Sequence, residues 1–259
     1  MLYNVQLMSA IVLIPARYSS TRFPGKPLAL LRGMPIIEHV YKNSLHSHLA
    51  GDVVVATDSE TIFETVLSFG GKVVMTSQDH ASGTDRIAEA ADLFDYDIIV
   101  NVQGDEPLIQ PDMIDTVISL LDDRDASIGT LSKRIADRRE LFDTNTVKVV
   151  SDDKGFALYF SRAPIPYYRD LFKTDAPLGA DVSGLSVFKH IGIYSYRRDV
   201  LRAITKIGPS RLEKIEKLEQ LRALENGYRI KVEEIFVETV GVDTPEDLER
   251  IEKCLNSSL

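Results

Sequence analysis

A chain of 259 residues with 44% hydrophobic and 27% charged residues buries a sizeable core without disulfide or metal staples. Its formal charge of −9, from 30 Lys and Arg against 39 Asp and Glu, argues against nonspecific binding to nucleic acid or a membrane surface. One cysteine, Cys254, excludes an internal disulfide and a cysteine-based zinc site. With no bilayer-length apolar run and no signal-like start, a cytoplasmic, reducing location is expected.

Residues 10–14 (AIVLI) form a continuous apolar run before Pro15, the pattern of a strand buried on both faces. Pro35 opens an amphipathic helix with Ile36, Ile37, Val40, Tyr41 and Leu45 on one face. Residues 53–58 (VVVATD) read as the next strand, and Ser59 caps a helix that ends at Gly70 and Gly71. Strand 72–76, helix 83–94 and strand 97–102 follow, the last running into Gln103-Gly104-Asp105-Glu106-Pro107. Pro111 starts another helix, through about Leu121. Strands alternating with helices predict an α/β fold with a mainly parallel sheet flanked by helices.

The rhythm changes near residue 145. Two strand-like runs flank Asp152-Asp153-Lys154-Gly155, which is hairpin chemistry, and a strand is expected at 190–196 after a weakly patterned stretch, 169–186. Residues 145–196 are read as an antiparallel insertion leaving the parallel core, a lid or subunit contact within a single domain spanning 1–259. A helix over 210–226 starts with a Ser210–Glu213 capping box, ends at Gly227, and buries Leu212, Ile215, Leu218, Leu221 and Leu224. The last helix starts at Thr244-Pro245-Glu246-Asp247 and points Leu248, Ile251 and Leu255 inward.

Charge locates the first candidate site. Within residues 1–50, Arg17, Arg22, Lys26, Arg32 and Lys42 face one acid, Glu38. A net +4 here, in an acidic chain, suits a small polyphosphate, although a solvated basic loop has the same composition. In open α/β sheets ligands bind outside the carboxyl ends of the strands. Three polar clusters fall at such ends: 15–27, Thr57 with Asp58, and 103–106. Neither the dinucleotide glycine fingerprint nor the P-loop motif is present. Small residues in 15–27 let backbone N–H groups approach phosphate, while Arg and Lys neutralise it.

That loop, P-A-R-x-x-S-T-R-x-P-G-K-P-L over 15–28, resembles the opening signature of the cytidylyltransferases that make CMP-activated 3-deoxy-manno-octulosonate (Kdo). The resemblance continues in order through SGTDRIAE (82–89), IVNVQGDEP (99–107), ALYFSRAPIP (157–166), HIGIY (190–194), KLEQLRALENG (217–227) and GVDTPEDLER (241–250). Asp85 stands where the family usually has Glu. The related sialic-acid enzymes share the PAR start and diverge after it.

The resemblance implies a nucleotidyltransferase fold, similar to glycosyltransferase-A, and transfer of CMP from CTP to the anomeric hydroxyl of Kdo for lipopolysaccharide synthesis. The same reaction on the 8-amino-8-deoxy sugar is the alternative, since those enzymes share nearly all these motifs. A catalytically silent nucleotide sensor is the reading from another class; its signature would be loss of Asp105 or Asp243, and both are present. The resemblance makes Asp105 and Asp243 ligands of Mg2+ and catalytic together with Arg17 and Lys26. Pro15, Ala16, Arg17, Lys26, Gly83, Arg86 and Gln103 are expected to bind CTP. Arg162, His190, Tyr194, Glu219 and Gln220 are expected at the sugar, with Arg162 pairing the Kdo carboxylate. Read alone, each has a plain structural role: Asp105 in a turn, Asp243 at a helix start, Arg86 on a helix surface, Tyr194 in the core. A homodimer formed through 145–196 is also implied, and Phe156, Leu158, Phe160, Ile191, Ile193 and Tyr196 carry more apolar surface than a small flap buries alone.

Overall fold

Strand β1 (Ala10–Ala16) is buried along its whole length, and its alternate side chains enter two separate cores. Val12, Ile14 and Ala16 join one apolar cluster, while Ile11 and Leu13 join the other. A strand sandwiched between two helical layers needs apolar residues on both faces, so period-2 alternation disappears. The computed structural model describes residues 8–19, 23–172, 181–237 and 241–257. Arg22 lies outside them, as does the side chain of Leu255.

After β1 come a short hairpin, β2 (Leu30–Leu31) and β3 (Met34–Pro35), and helix α1 (Ile36–Ser44). Then follow β4 (Ala50–Thr57), α2 (Glu60–Ser68), β5 (Val73–Met75), α3 (Gly83–Ala91), β6 (Ile98–Asn101) and α4 (Pro111–Ser119). Ser59 and Ser82 cap α2 and α3, each accepting a backbone N–H three residues on. The second half contains β7 (Ile128–Arg134), α5 (Arg138–Phe142), β8 (Lys148–Ser151), β9 (Ala157–Ser161), β10 (Phe188–Arg197) and α6 (Arg198–Ile204). It ends with α7 (Arg211–Glu216), α8 (Gln220–Glu225), β11 (Ile230–Glu234) and α9 (Pro245–Ser257). The main sheet runs β11-β7-β10-β6-β1-β4-β5, with β8 and β9 branching from β10. One face is covered by apolar residues of α1, α2, α4 and α9, the other by those of α3, α6 and α8.

The expected α/β architecture is present, and three expectations need correction. First, β10 does not leave the core: it lies antiparallel between β6 and β7. Only its first residues, Phe188 and Lys189, also pair with β8. Consequently Phe156, Phe160, Ile191, Ile193 and Tyr196 are buried in this chain's own cores, and of the six residues named for a dimer only Leu158 is exposed. Second, the helix expected over 210–226 is two helices. The Ser210–Glu213 capping box forms, but Lys217 adopts the left-handed conformation (φ 56°) and turns the chain. Ile215 consequently faces solvent instead of the core, while Leu218 and Leu221 stay buried. Third, β7, α5, α6 and β11 were not anticipated. Buried Thr130 and Ser132 in β7 hide a strand from hydropathy, since their hydroxyls bond backbone carbonyls instead of water.

Candidate active site

Parallel pairing of β1 with β4 and β6 brings their carboxyl ends to one edge of the sheet. Gly104, just after β6, packs so closely there that a Cβ would meet the Pro15 carbonyl oxygen at 2.8 Å. The basic loop after β1 closes through Gly25, whose φ of +70° suits glycine and whose N–H donates to the Tyr18 carbonyl. A cleft of about 710 Å³ opens between these loops, lined among others by Pro15, Ala16, Arg17, Lys26, Gly83, Arg86, Gln103, Asp105 and Asp243. Every residue expected to contact CTP therefore lines one cavity.

The two candidate metal ligands meet although they lie far apart in sequence. The Val242 N–H donates to the Asp105 carbonyl at 2.9 Å, which ties the loop carrying Asp243 to the one carrying Asp105. Asp247 of α9 then accepts the N–H groups of Asp243 and Thr244 at 3.1 and 3.0 Å, setting the Asp243 turn. Lys26 donates to Asp105 Oδ2 and, at 3.2 Å, to Asp243 Oδ1. One cation thus already draws both carboxylates to a single point. This donor set suits Mg2+, which takes few carboxylates and completes its shell with water and substrate oxygens. Among the described residues no three His, Cys, Asp or Glu side chains form a fuller metal cage.

Glu106, in the 103–106 cluster at the end of β6, is a third carboxylate beside this pair. Burial, then the charges of Asp105 and Asp243, push its carboxyl up to about 7. Arg86 is also more constrained than expected: buried on α3, it pairs with Asp58 at 2.6 Å and donates to Thr76 Oγ1 at 2.5 Å. Its charge is balanced by Asp58, as that of Lys26 is by Asp105 and Asp243. Arg17 is exposed.

A second cavity of about 290 Å³ adjoins the first, sharing Gly83 and Gln103 with it. Tyr194, Glu219 and Gln220 line it, together with Thr84, Asn101 and Tyr196. The bulge that displaces Gly192 and Ile193 from the β10–β7 ladder places Gly192 in its wall.

Arg162 and His190 are not among the residues lining either cavity. Arg162 instead donates to the carbonyls of Glu216 and Thr144, both at 2.8 Å. His190 packs edge-on against Phe160 and beside Tyr194, with Nε2 2.9 Å from Thr130 Oγ1.

The family model for cytidylyltransferases matches residues 11–253. The chain belongs to the cytidylyltransferase family. Among curated relatives, the 3-deoxy-manno-octulosonate cytidylyltransferase of Thermodesulfovibrio yellowstonii is 52% identical, covering 96% of this chain and 99% of its own. The enzyme of the same name from Geobacter metallireducens is 51% identical over 96% of this chain and 98% of its own. A solved CMP:2-keto-3-deoxy-manno-octonic acid synthetase complexed with CTP superposes with a TM-score of 0.88 at 42% identity, over 97% of this chain and all of that one. The 4-diphosphocytidyl-2C-methyl-D-erythritol synthase of Anaerococcus prevotii shares the fold, with a TM-score of 0.63 at 12% identity over 96% and 99% of the two chains. Among the described residues, no helix of this cytidylyltransferase is long and apolar enough to cross a membrane.

Part-buried between Phe160, Tyr194 and Thr130, His190 is expected to make the stability of this family member depend on pH. Burial pushes its imidazole down to about 3, whereas an unfolded histidine titrates near 6.5. Its contribution to stability is therefore full above about pH 6.5 and is lost as pH falls toward 3. At pH 5 the loss is about 2 kcal/mol. Denaturant unfolding at pH 7.5 and pH 5 should show that difference, and His190→Gln should remove most of it; an unchanged difference in the variant would contradict the assignment.

Proposed function

We propose that the protein transfers the CMP group of CTP to the anomeric hydroxyl of Kdo, releasing pyrophosphate and giving CMP-Kdo for lipopolysaccharide synthesis in the cytoplasm. The reading is carried by two cavities that meet at Gly83 and Gln103, one basic and carboxylate-bearing, the other lined by tyrosines, Glu219 and Gln220. A nucleotide in the first and a polyhydroxylated sugar acid in the second would face each other at that seam. The hydroxyl oxygen attacks the α-phosphorus and gives up its proton to solvent, the bond from that phosphorus to the α,β-bridging oxygen breaks, and pyrophosphate leaves.

Catalysis here is mostly positioning and charge balance. Arg17 and Lys26 bind the triphosphate, and Gln103 offers its amide to the nucleoside at the seam. Asp105 and Asp243 would hold Mg2+, which neutralises charge developing on phosphate oxygens. Tyr194, Glu219 and Gln220 offer hydrogen bonds to sugar hydroxyls. Arg162 borders this region through Glu216, and a role at the sugar carboxylate would require its guanidinium to exchange a carbonyl for that carboxylate. Pyrophosphate release from CTP should require both Kdo and divalent metal. Equal release with a sugar 1-phosphate would overturn the reading, and direct competition between Kdo and its 8-amino analogue measures which sugar is preferred.

We also propose a homodimer. Its support is the family resemblance together with Leu158 on β9 and Ile215 on α7, both exposed on elements joined by the Ser161–Glu216 hydrogen bond of 2.6 Å. Light scattering at micromolar concentration should report twice the chain mass of 28.9 kDa; the single-chain mass would overturn it.

A further inference from the structure

The first turn of α3 stands between the two cavities. Gly83 lines both, Ser82 and Arg86 line the first, and Thr84 lines the second. Thr84 Oγ1 donates to Glu219 Oε2 at 2.8 Å, joining α3 to the elbow between α7 and α8. Among the described residues, the Glu219 carboxylate has no other hydrogen-bond donor. Tyr196 of β10 lines the same cavity as Thr84 and Glu219.

The elbow itself is set independently of this bond. Lys217, in its left-handed conformation, donates its N–H to the Glu213 carbonyl at 2.8 Å, and Arg222 pairs with Glu213 through two hydrogen bonds of 2.8 and 2.5 Å. Backbone and helix positions therefore do not depend on Thr84. What depends on it is the rotamer of Glu219, a long side chain that otherwise samples several orientations at the cavity wall. The donor is stiff, being β-branched and seated in a helix start that Ser82 caps through the Asp85 N–H. Gly83 anchors the same turn, since even a Cβ there would stand 3.2 Å from Pro15 Cγ.

We propose that Thr84 is a positioning residue: it holds Glu219 in the orientation that receives a hydroxyl of the sugar acid. Because Thr84 follows Gly83 directly, this orientation is referenced to the helix turn that also walls the nucleotide cleft. The assignment rests on the reading of the second cavity as the sugar site.

Thr84→Val removes the donor and keeps the branched shape. It should raise the KM for Kdo about tenfold, the scale of a hydrogen bond to a charged group, with the KM for CTP within about twofold and an unchanged melting temperature. Thr84→Ser restores the hydroxyl and should bring the Kdo KM back near the wild-type value. A merely structural role would lower the melting temperature or move both KM values together, and either result would overturn the assignment. Failure of Thr84→Ser to rescue would do the same. If the wild type turns over Kdo and Thr84→Val keeps its Kdo KM, the assignment alone falls. If the wild type does not turn over Kdo with CTP, the reading of the second cavity falls and takes this assignment with it.

Discussion

Asp105→Asn should lower kcat by on the order of 10²–10³-fold while leaving the fold intact, the equivalent of several kcal/mol of lost charge stabilisation. The substitution keeps the shape and removes one of two carboxylates that converge on the Lys26 ammonium. The backbone bond that joins the two loops uses the Asp105 carbonyl, so it survives the change. Asp243→Asn should act alike, and the double variant should fall far short of the product of the two losses, since both carboxylates act through one cation. Circular dichroism and melting temperature would verify the fold, and initial rates across a magnesium titration would measure the effect. A wild-type kcat at saturating magnesium, or strictly multiplicative losses, would contradict a shared role.

Lys148→Met should be the most destabilising single substitution at the hairpin. Lys148 is fully buried in β8, and its ammonium donates to three backbone carbonyls, Asp143 at 2.8 Å, Thr146 at 2.6 Å and Arg162 at 2.6 Å. Burial holds this amine below the usual lysine range. Methionine fills the channel left by the stem but strands three carbonyls in an enclosed place, and each unmade bond costs about 1–3 kcal/mol. A total near 4 kcal/mol corresponds to a melting temperature lower by about 8–16 °C in a chain of this size. Thermal unfolding by calorimetry checks it. A drop under about 2 °C would mean that water satisfies the carbonyls and that the ammonium is dispensable. Arg162→Ala keeps the carbonyl that Lys148 bonds and loses only the guanidinium bonds to the Glu216 and Thr144 carbonyls, so the comparison of the two variants separates bracing of the hairpin from contact with a substrate.

The sequence made the nucleotide half of the site legible, and the reason is chemical. Phosphate recognition needs a short loop of small and basic residues at the end of a buried strand, and 15–28 is such a loop. Asp105 was visible for the same reason, as an acid ending a central strand. Asp243 needed the resemblance, because an acid before a helix is ordinary capping chemistry. Only the fold shows the Val242–Asp105 bond that brings it across. The sugar half was harder. Glu219 and Gln220 looked like the solvated face of one long helix, and the left-handed Lys217 that turns them into a cavity has no glycine to announce it. Asp58 and Glu106 stand out in the sequence only as members of polar clusters at strand ends, because their roles depend on neighbours distant in sequence: Arg86 for the first, Asp243 for the second. Within the fold, β7 is hidden because hydroxyls of Thr130 and Ser132 fill buried positions, and β11 because only Ile230 and Val232 of its five residues are buried.

The place of β10 in the sheet also sets an order on synthesis. The segment that emerges first carries β1, β4, β5 and β6, so the partners of all their parallel pairings are available once residue 101 has left the ribosome. The edge of β6 that will receive β10 then stays open until residues 188–197 appear, roughly ninety positions later. Strand β7, made in between, cannot pair with β6, because its neighbour in the finished sheet is also β10. Strand β7 and the β8–β9 pair therefore join the sheet only when β10 is made, and β11 adds to the far side of β7 later still. An open, apolar strand edge during that interval invites pairing between nascent chains. Slow closure is the expected cost of long-range pairing. Yield of native protein should accordingly respond to translation speed and chaperone supply across residues 102–197 more than across any other part of the chain.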